Sequence, residues 1–376
     1  MSLRYPFFRI GIIGGGQLAK MMTQEAKRMG FWVAVLDPTP QSPAGQVSDR
    51  EIIADFYDSE ALTTLAQEVD VVTYDIEHVD VHTLQKEAIQ TLILPSPELL
   101  AIIQDKLVQK EVLRQGGIPI PRFSPEVHRE TLEELGLPAV WKARFGGYDG
   151  RGVARIQSAE DLSTLPPKPA FLEEHIDIAK ELAVLVARNR QGEMAVYPVV
   201  EMTFHTHAHI CNWVIAPADI PLQIAERARS IAERCVLLLE GVGIFAVEMF
   251  LTTGGELFVN EIAPRPHNSG HFTIEACVTS QFEQHLRAIC DLPLGATDLL
   301  SPAVMVNLLG GEGYQGTPVL TGLTEALRIP GVSFHFYGKR ETRPLRKMGH
   351  VTIVDQTREG AMEKARRVQN ILKIHS

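Results

Sequence analysis

Two glutamates lie in apolar segments that are joined by glycines, and their spacing places them opposite each other. Glu248 and Glu261 belong to the runs 243–251 and 256–262, and the connection 252–255 reads Thr-Thr-Gly-Gly. If the two glycines form a two-residue turn, the glutamates face each other on one side of a hairpin. Directly opposed side chains have Cβ atoms ~4.5–5.5 Å apart, where like charges are destabilising unless a cation lies between them.

Carboxylate oxygens on a rigid hairpin suit Mg²⁺ that bridges the phosphates of a nucleotide. We therefore expect Glu248 and Glu261 to form a metal site, with a structural ion pair as the alternative. The prediction depends on register, because a four-residue loop over 252–255 would place Glu248 opposite Val259.

A second set of residues suits the phosphates themselves. Lys142 lies inside the apolar strand 139–143, where an unpaired ammonium group is costly to bury, so it points to solvent or meets an anion. The run 144–153 holds four glycines, whose N–H groups can converge on phosphate oxygens, and Arg144 and Arg151 add positive charge. The run lacks the Gly-Lys-Ser/Thr of a Walker A loop, and a plain hairpin turn is the alternative.

The next apolar strand, 171–176, contains the consecutive acids Glu173 and Glu174, and Glu181 follows. Such a strand suits an adenosine site, where its backbone meets the adenine edge and an acid accepts from ribose hydroxyls. Ordinary surface acids explain the residue types equally well.

Near the N-terminus, residues 14–19 (Gly-Gly-Gly-Gln-Leu-Ala) fit the pattern G-x-G-x-x-G/A between a strand and a helix, and Asp37 ends the next strand. Three interpretations stay open: a nicotinamide dinucleotide site, a phosphate-binding or structural loop of a nucleotide-like domain, and fold geometry alone. Glu77 follows the third strand at the same sheet edge, where it could face a substrate hydroxyl or solvent.

Two polar stretches lie downstream of the paired carboxylates. The proline-stiffened loop 263–271 can present fixed donors to a substrate beside the metal. The run 339–350 concentrates cations in an acidic protein, which favours a phosphate-bearing substrate, although charge runs are usually solvated.

Alternation of strands and helices with short connections indicates an α/β protein with a parallel N-terminal sheet. The periodicity also predicts helices over 17–29, 98–115 and 217–239. We expect three domains: 1–96, 97–182, and 183–376, which includes a small C-terminal unit from about 301.

Composition excludes several classes. The chain has 376 residues and a formal net charge of -10, which disfavours a nucleic-acid partner. Its four cysteines show no metal spacing and are expected to be reduced core residues. No stretch approaches the ~20 apolar residues of a membrane span. We expect a soluble cytoplasmic protein.

Taken together, these residues resemble the ATP-grasp superfamily and, within it, the N5-carboxyaminoimidazole ribonucleotide synthetases. The matching stretches are 14–18, 74–79, 103–106, 146–152, 260–271 and 346–351, which span nearly the whole chain. "NEIAPRPHNSGH" and "RKMGHVT" are highly specific to the family, whereas the N-terminal glycines are not. The resemblance implies an ATP-grasp fold with a Rossmann-like N-terminal domain, a small lid domain, and a larger α+β domain with the C-terminal unit.

The resemblance also implies site residues. ATP would be bound by Lys106, Lys142, Gly147, Tyr148, Asp149, Gly150, Arg151, Gly152, Glu173, Glu174, His175, Ile176, Glu181, His205, Asn260 and Glu261. Mg²⁺ would be bound by Glu248, Glu261 and Asn260. The ribonucleotide would be bound by Gly15, Gln17, Leu18, Glu77, Tyr148, Asp149, Arg151, His267, Asn268, Lys339 and Arg346. Catalytic roles fall to Lys142, Asp149 and Arg265, with Asp149 as acceptor of the amine proton.

One stretch departs from the family. Members usually carry Glu-Asn-x-His where this chain has the longer run 201–207, so the ATP-contacting histidine is His205 or His207, and we favour His205.

The implied activity is ATP- and bicarbonate-dependent carboxylation of 5-aminoimidazole ribonucleotide through carboxyphosphate, in purine biosynthesis. A homodimer is expected, with handover of product to the mutase that uses it. Two alternatives stay open: another ATP-grasp ligase, such as formate-dependent glycinamide ribonucleotide transformylase, and an NAD-binding oxidoreductase resting on residues 14–19 and Asp37.

Overall fold

The computed structural model describes residues 7–86, 89–147, 152–205 and 210–375. Its N-terminal unit contains strands β1 (Arg9–Ile13), β2 (Trp32–Asp37), β3 (Arg50–Ile53), β4 (Val71–Tyr74) and β5 (Leu92–Ile93). Helices α1 (Gln17–Arg28), α2 (Ser59–Glu68) and α3 (Val81–Leu84) connect them. The strands pair in parallel in the order β3-β2-β1-β4-β5. The predicted parallel sheet is confirmed, and its carboxyl edge carries the N-terminal glycines and Glu77.

The segment 98–115 was predicted as one helix, and the structure divides it into α4 (Pro97–Gln104) and α5 (Lys106–Gln115). Asp105 causes the break, because its side chain accepts from the N–H groups of Leu107 and Val108 and caps α5. The N–H of Lys106 donates instead to the carbonyl of Arg144, at 2.9 Å. The break thereby ties the start of α5 to the next unit of the chain.

The lid is a small antiparallel sheet with one helix against it. It contains β6 (Phe123–Ser124), α6 (Arg129–Leu135), β7 (Ala139–Ala143), β8 (Val153–Ile156), a 3-10 helix (Ala159–Thr164) and β9 (Ala170–Glu174). The strand order is β6-β9-β7-β8. Strand β7 alternates buried and half-buried residues, so that Trp141 packs in the lid core while Lys142 faces the opposite side.

The large unit is built on one long sheet. Its strands are β10 (Ile178–Arg188), β11 (Met194–Val196), β12 (Val200–Phe204), β13 (Cys211–Ala216), β14 (Gly243–Thr252), β15 (Leu257–Ala263), β16 (Ala303–Leu309), β17 (Val319–Thr321), β18 (Val332–Phe336), β19 (Lys347–Val354) and β20 (Lys373–His375). The order is β15-β14-β10-β12-β13-β16-β19-β18, with β11 beside β10 and a separate β17-β20 pair. The C-terminal segment from about 301 therefore extends the central sheet.

Helices pack on both faces of this sheet. They are α7 (Leu222–Leu238), α8 (Thr273–Ala276), α9 (Gln281–Ile289), α10 (Leu323–Leu327) and α11 (Arg358–Ile371), with a 3-10 helix at Asn268–Gly270. The helix predicted from residue 217 begins later, because Pro221 disfavours helical geometry at Ile220 and itself serves as the N-cap.

A shared apolar cluster holds the N-terminal unit against the large unit. Leu18 and Met21 of α1 pack with Phe282, Leu286 and Ile289 of α9, all nearly or fully buried. The sheet edge that carries the N-terminal glycines is thus fixed relative to the hairpin of β14 and β15.

All four cysteines are buried, and none forms a disulfide bond within the described part of the chain. Among the described helices, none is long and apolar enough to cross a membrane. The domain boundaries after residues 96 and 182 stay predictions.

Candidate active site

A cavity of about 890 Å³ lies where the N-terminal sheet edge, the lid and the β14–β15 hairpin meet. Most of the predicted site residues line it. They are Gln17, Leu18, Glu77, Lys106, Lys142, Gly147, Gly152, Glu173, Glu174, His175, Ile176, Glu181, Glu248, Asn260, Glu261, Arg265, His267 and Asn268. Residues far apart in the sequence, from three structural units, therefore surround one space.

Glu248 and Glu261 pair directly, as predicted, but the turn that was expected to align them is wrong. The N–H of Thr252 bonds the carbonyl of Glu256, which closes a three-residue loop with Gly255 in the left-handed region at φ +81°. That loop alone would place the glutamates one residue out of register. A β-bulge at Asn260 on β15 then restores the pairing.

The bulge also explains why Asn260 joins the site. Two residues of the bulged strand oppose one residue of the partner, so Asn260 and Glu261 both oppose Glu248. Asn260 Oδ1 accepts from Lys142 Nζ at 3.0 Å. The predicted oxygen set of Glu248, Asn260 and Glu261 is thus brought to one wall of the cavity.

The pKa values of the two glutamates shift in opposite directions because the glutamates differ in partners. Burial, followed by the nearby charges of Glu261 and Glu181, raises the pKa of Glu248 to about 8. Glu261 is ion-paired with Lys106, and although burial opposes ionisation, this ammonium group lowers its pKa to about 2. Among the described residues, the wall therefore holds one carboxylate, Glu261, that is paired with a lysine, and a second, Glu248, whose raised pKa favours binding of a proton or another cation.

The oxygen donors fit Mg²⁺ rather than a metal with a complete protein cage. Within the described ranges, no group of three or more His, Cys, Asp or Glu side chains is arranged to hold a metal ion by itself. Mg²⁺ is commonly held by one or two carboxylates together with substrate phosphates, so two glutamates and an amide oxygen suffice for it.

Lys142 meets an anion of the protein itself. Its Nζ lies 2.5 Å from Glu173 Oε2. Glu173 Oε1 lies 2.6 Å from Nζ of Lys110, a residue that the sequence reasoning missed. The missed signal was the spacing on α5, since Lys110 follows Lys106 and Leu107 at helical intervals on the inward face. Because the Glu173 carboxylate is engaged by both lysines, contact with an adenosine would fall to the backbone of its strand.

The root of the glycine-rich loop is anchored to α5. Arg144 donates to Asp105 through Nε and Nη2, with the closer contact at 2.5 Å. Gly152 has φ +77°, and its carbonyl accepts from the N–H of Ala143 at 2.8 Å. Gly147 and Gly152 line the cavity, whereas Tyr148, Asp149, Gly150 and Arg151 lie outside the described residues.

The predicted adenosine strand reaches the cavity at its end. Glu174, His175 and Ile176 line it, and so does Glu181, whose pKa burial raises to about 7 against the opposing charge of Lys142. His205 is described but is not among the lining residues, and His207 lies outside the described ranges. The choice between the two histidines stays a prediction.

At the start of α1, the chain supplies its own anions. The N–H of Gly15 donates to Asp37 Oδ2 at 2.8 Å, and the N–H of Ala19 donates to Asp75 Oδ2 at 3.0 Å. Gly14 has φ +101°, and a Cβ there would lie 1.7 Å from Asp75 Oδ1. The glycines thus permit close packing of carboxylates, which occupy positions that a dinucleotide phosphate would need.

Asp75 is buried and lines the cavity. Burial raises its pKa to about 6, although hydrogen bonds from the backbone of Ala19 and Gly16 and the charge of Arg265 oppose the shift. A carboxylate kept in this position is costly to the folded state, which makes it a candidate for a role in the cavity.

The loop after the hairpin completes the cavity wall. Arg265 Nη2 lies 3.0 Å from Glu77 Oε1 and links the large unit to the N-terminal sheet edge. His267 Nε2 lies 3.6 Å from Glu248 Oε1. Asn268 is buried, and its Nδ2 has no hydrogen-bond partner among the described residues, so it is available to a ligand.

Three of the residues predicted to bind the ribonucleotide are placed away from the cavity lining. Gly15 bonds Asp37, Lys339 Nζ donates to the carbonyl of Lys347 at 2.7 Å, and Arg346 Nη1 donates to the carbonyl of Glu341 at 2.7 Å. Lys347 lines the cavity instead. The roles assigned to these three residues stay predictions.

Family models match nearly the whole chain. The ribonucleotide synthetase preATP-grasp domain matches residues 7–104, the ATP-grasp domain 111–282, and the phosphoribosylaminoimidazole carboxylase C-terminal domain 303–364. The predicted fold is therefore confirmed, and the oxidoreductase alternative is wrong.

Curated relatives and solved structures agree. N5-carboxyaminoimidazole ribonucleotide synthase of Bacillus subtilis is 43% identical over 94% of this chain and 93% of its own length. The crystal structure of N5-carboxyaminoimidazole ribonucleotide synthetase from Thermotoga maritima superposes with a TM-score of 0.92 at 59% identity, covering 98% of this chain and 100% of that chain. The Aspergillus clavatus synthase, solved with ADP and 5-aminoimidazole ribonucleotide, has a TM-score of 0.89 at 36% identity, covering 97% and 98%. With the paired carboxylates and the lysines in place, the chain belongs to the N5-carboxyaminoimidazole ribonucleotide synthetase family of ATP-grasp ligases.

Proposed function

We propose that this chain uses ATP and bicarbonate to carboxylate the exocyclic amine of 5-aminoimidazole ribonucleotide, giving N5-carboxyaminoimidazole ribonucleotide in purine biosynthesis. The observation that carries the proposal is a single cavity with two walls, one suited to a nucleotide and the other to a second substrate. Lysines and paired carboxylates form the first, and the N-terminal sheet edge with the loop 265–268 forms the second. A relative of the same family holds ADP and this ribonucleotide in its crystal structure.

On the nucleotide wall, Lys106 and Lys142 present ammonium groups to the phosphates. Glu248, Glu261 and Asn260 present oxygens that would hold Mg²⁺, which when bound neutralises charge on the transferring phosphoryl group. The strand end 174–176 and Glu181 lie where adenine and ribose are expected. The protein contributes position and electrostatics more than covalent chemistry in such a transfer.

The reaction proceeds in two steps. A bicarbonate oxygen attacks the γ-phosphorus of ATP, which releases ADP and forms carboxyphosphate. The amine nitrogen then attacks the carboxyl carbon, or CO2 released from it, while phosphate leaves and the nitrogen loses a proton. Asp149 is our proposed acceptor of that proton. Arg265 lies between the two walls, where it can orient the carboxyl group of carboxyphosphate.

Water must be kept from carboxyphosphate, because an acyl phosphate hydrolyses readily. The glycine-rich run 147–152 is our proposed cover, anchored at its start through Arg144 and Asp105. On the second wall, Glu77, His267 and Asn268 face the ribonucleotide, with Gln17 and Leu18 at the start of α1.

Further parts of the proposal concern the whole protein. A homodimer, a cytoplasmic location and handover of the carbamate product to a mutase are consistent with the family. Light scattering of the purified chain tests the first of these directly.

The test is phosphate release from ATP with Mg²⁺, with and without ribonucleotide and bicarbonate, and rapid mass spectrometry of the product. We expect ribonucleotide-dependent turnover with a carboxylated product. Glu248→Gln and Glu261→Gln should lower turnover by at least about a hundredfold, as expected when groups that stabilise the transition state are lost. Glu256→Gln, an exposed glutamate on the same hairpin, should retain activity. No stimulation by the ribonucleotide would contradict the assignment.

A further inference from the structure

Glu173 is a buried carboxylate held between one buried and one half-buried lysine from different structural units. Glu173 is 2% exposed, on lid strand β9, and Lys142, on lid strand β7, has a side chain that is 12% exposed. Lys110, on α5 outside the lid, has a side chain that is 3% exposed. The Lys110 ammonium also donates to the carbonyl of Val259 on β15, at 3.1 Å. Lys110 thus joins the lid to the hairpin that carries the paired carboxylates.

The charges in this group do not cancel. A pair made of Glu173 and Lys142 would be neutral, and its lysine would offer little attraction to a phosphate. Burial lowers the pKa of Lys110 to about 8, so at neutral pH two positive charges still meet one negative charge, and the three side chains carry a net charge of about +1. Although burial opposes ionisation, the two ammonium groups lower the pKa of Glu173 below its ordinary value, so the carboxylate is charged.

The two lysines are not equivalent in position. Lys142 also contacts Asn260 of the metal-binding set and is the less buried of the two. Lys110 also borders the cavity, but its ammonium group contacts Glu173 and a backbone carbonyl, both of which are protein groups. From these contacts we expect Lys142 to bind the ligand, whereas Lys110 binds the Glu173 carboxylate.

We infer that Lys110 is a positioning residue for nucleotide phosphates: it compensates the charge of Glu173, so that Glu173 fixes Lys142 in place without cancelling its charge toward the ligand. The inference rests on the proposed binding of ATP in this cavity.

The test compares binding of ADP and of adenosine, by isothermal titration calorimetry, because adenosine lacks the phosphates. Lys110→Met should weaken ADP binding at least about tenfold and leave adenosine binding unchanged, since one nearby charge is lost in a partly buried site. Lys110→Met/Glu173→Gln restores the net charge and should bind ADP at least about threefold more tightly than Lys110→Met does. Arg114→Met, an exposed cation on the same helix, is the matched control and should bind ADP normally.

Unchanged ADP binding in Lys110→Met would overturn the inference. So would a double variant that binds ADP no better than Lys110→Met, or a parallel loss of adenosine binding, which indicates a general structural role. If the natural protein binds neither ligand, the proposed function fails first, so the two failures are distinguishable.

Lys110→Met leaves Glu173 with one partner and can fail to fold, so a second pair of variants decides the question. Lys110→Met/Glu173→Gln and Lys142→Met/Glu173→Gln have the same composition and the same residual charge. The inference requires tighter ADP binding in the first than in the second. Equal binding, or the reverse order, contradicts it.

Discussion

Glu248 and Glu261 have the same chemistry and face each other, yet their surroundings shift their pKa values in opposite directions. Lys106 is close to Glu261, whereas Glu248 has His267 at 3.6 Å. Residue type and spacing were enough to predict the pair, because two acids in apolar strands need a cation. The sequence could not predict which acid takes the lysine, because Lys106 comes from a helix more than a hundred positions earlier.

Lys110, in contrast, could not be predicted as a site residue from the sequence. In sequence it is one lysine on an amphipathic helix, and the usual expectation is an exposed side chain. Its side chain is paired with Glu173, which belongs to the lid, so the pairing exists only where the lid packs against α5. A charge whose partner lies in another unit leaves little trace in local sequence.

Asp75 allows a prediction about pH. Its pKa rises from 3.8 to about 6 on folding, so the folded state binds this proton more tightly, and stability falls as pH rises through that window. Asp75→Asn does not titrate, so its free energy of unfolding relative to the natural protein should increase by roughly 2 kcal/mol between pH 4 and pH 7 and then level off. Urea unfolding of both proteins across this range measures the difference. Parallel pH curves would show that the shift is absent.

At the scale of elements, the β14–β15 hairpin has the predicted pairing of Glu248 with Glu261, but a different turn and a bulge produce it. A two-residue turn was expected, and the chain instead forms a three-residue loop and a bulge, whose effects on register compensate at Glu248 and Glu261. The apolar pattern fixes which face is buried and therefore constrains the pairing. Turn geometry and bulge position depend on packing, which explains why the sequence did not reveal them.

The loop makes a specific demand on Gly255, which has φ +81°. Gly255→Ala should lower the free energy of unfolding by about 1–2 kcal/mol, because the left-handed region is strained for residues with a Cβ. Gly254→Ala is the matched control, since Gly254 has no positive φ and its Cβ would meet no atom closer than 3.6 Å. Thermal and urea unfolding compare them, and equal stability of the two variants would contradict the assigned loop.

Across the whole molecule, the cavity exists because the N-terminal unit and the C-terminal strands are held to the same central sheet. Lys20 of α1 donates to the carbonyls of Phe336, at 3.3 Å, and Tyr337, at 2.9 Å. Gln46 Nε2 reaches the carbonyl of Gly338 at 3.0 Å. Family motifs in the sequence predicted the units and their order, but these cross-unit contacts join positions about 300 residues apart.

Lys20→Met tests this connection. Two carbonyls lose a charged donor, so the free energy of unfolding should fall by about 1–3 kcal/mol. The KM for the ribonucleotide should rise, because the segment after β18 leads to Lys339 and Lys347, while ADP binding stays normal. Lys27→Met is the matched control: Lys27 lies on the same helix and forms a more exposed ion pair with Asp49. Its loss should change the free energy of unfolding by no more than about 1 kcal/mol. Equal effects of the two variants would show that the connection is unimportant.

The central claim is that the cavity activates bicarbonate with ATP and passes the carboxyl group to the ribonucleotide amine. Its most direct test is a short incubation with ¹⁸O-labelled bicarbonate, ATP, Mg²⁺ and ribonucleotide, followed by mass spectrometry of the phosphate released. Carboxyphosphate formation transfers one bicarbonate oxygen to phosphorus, so we predict phosphate with a single ¹⁸O and an equal amount of carboxylated ribonucleotide. Unlabelled phosphate formed during product turnover would mean that water, not bicarbonate, accepts the phosphoryl group, and would contradict the account.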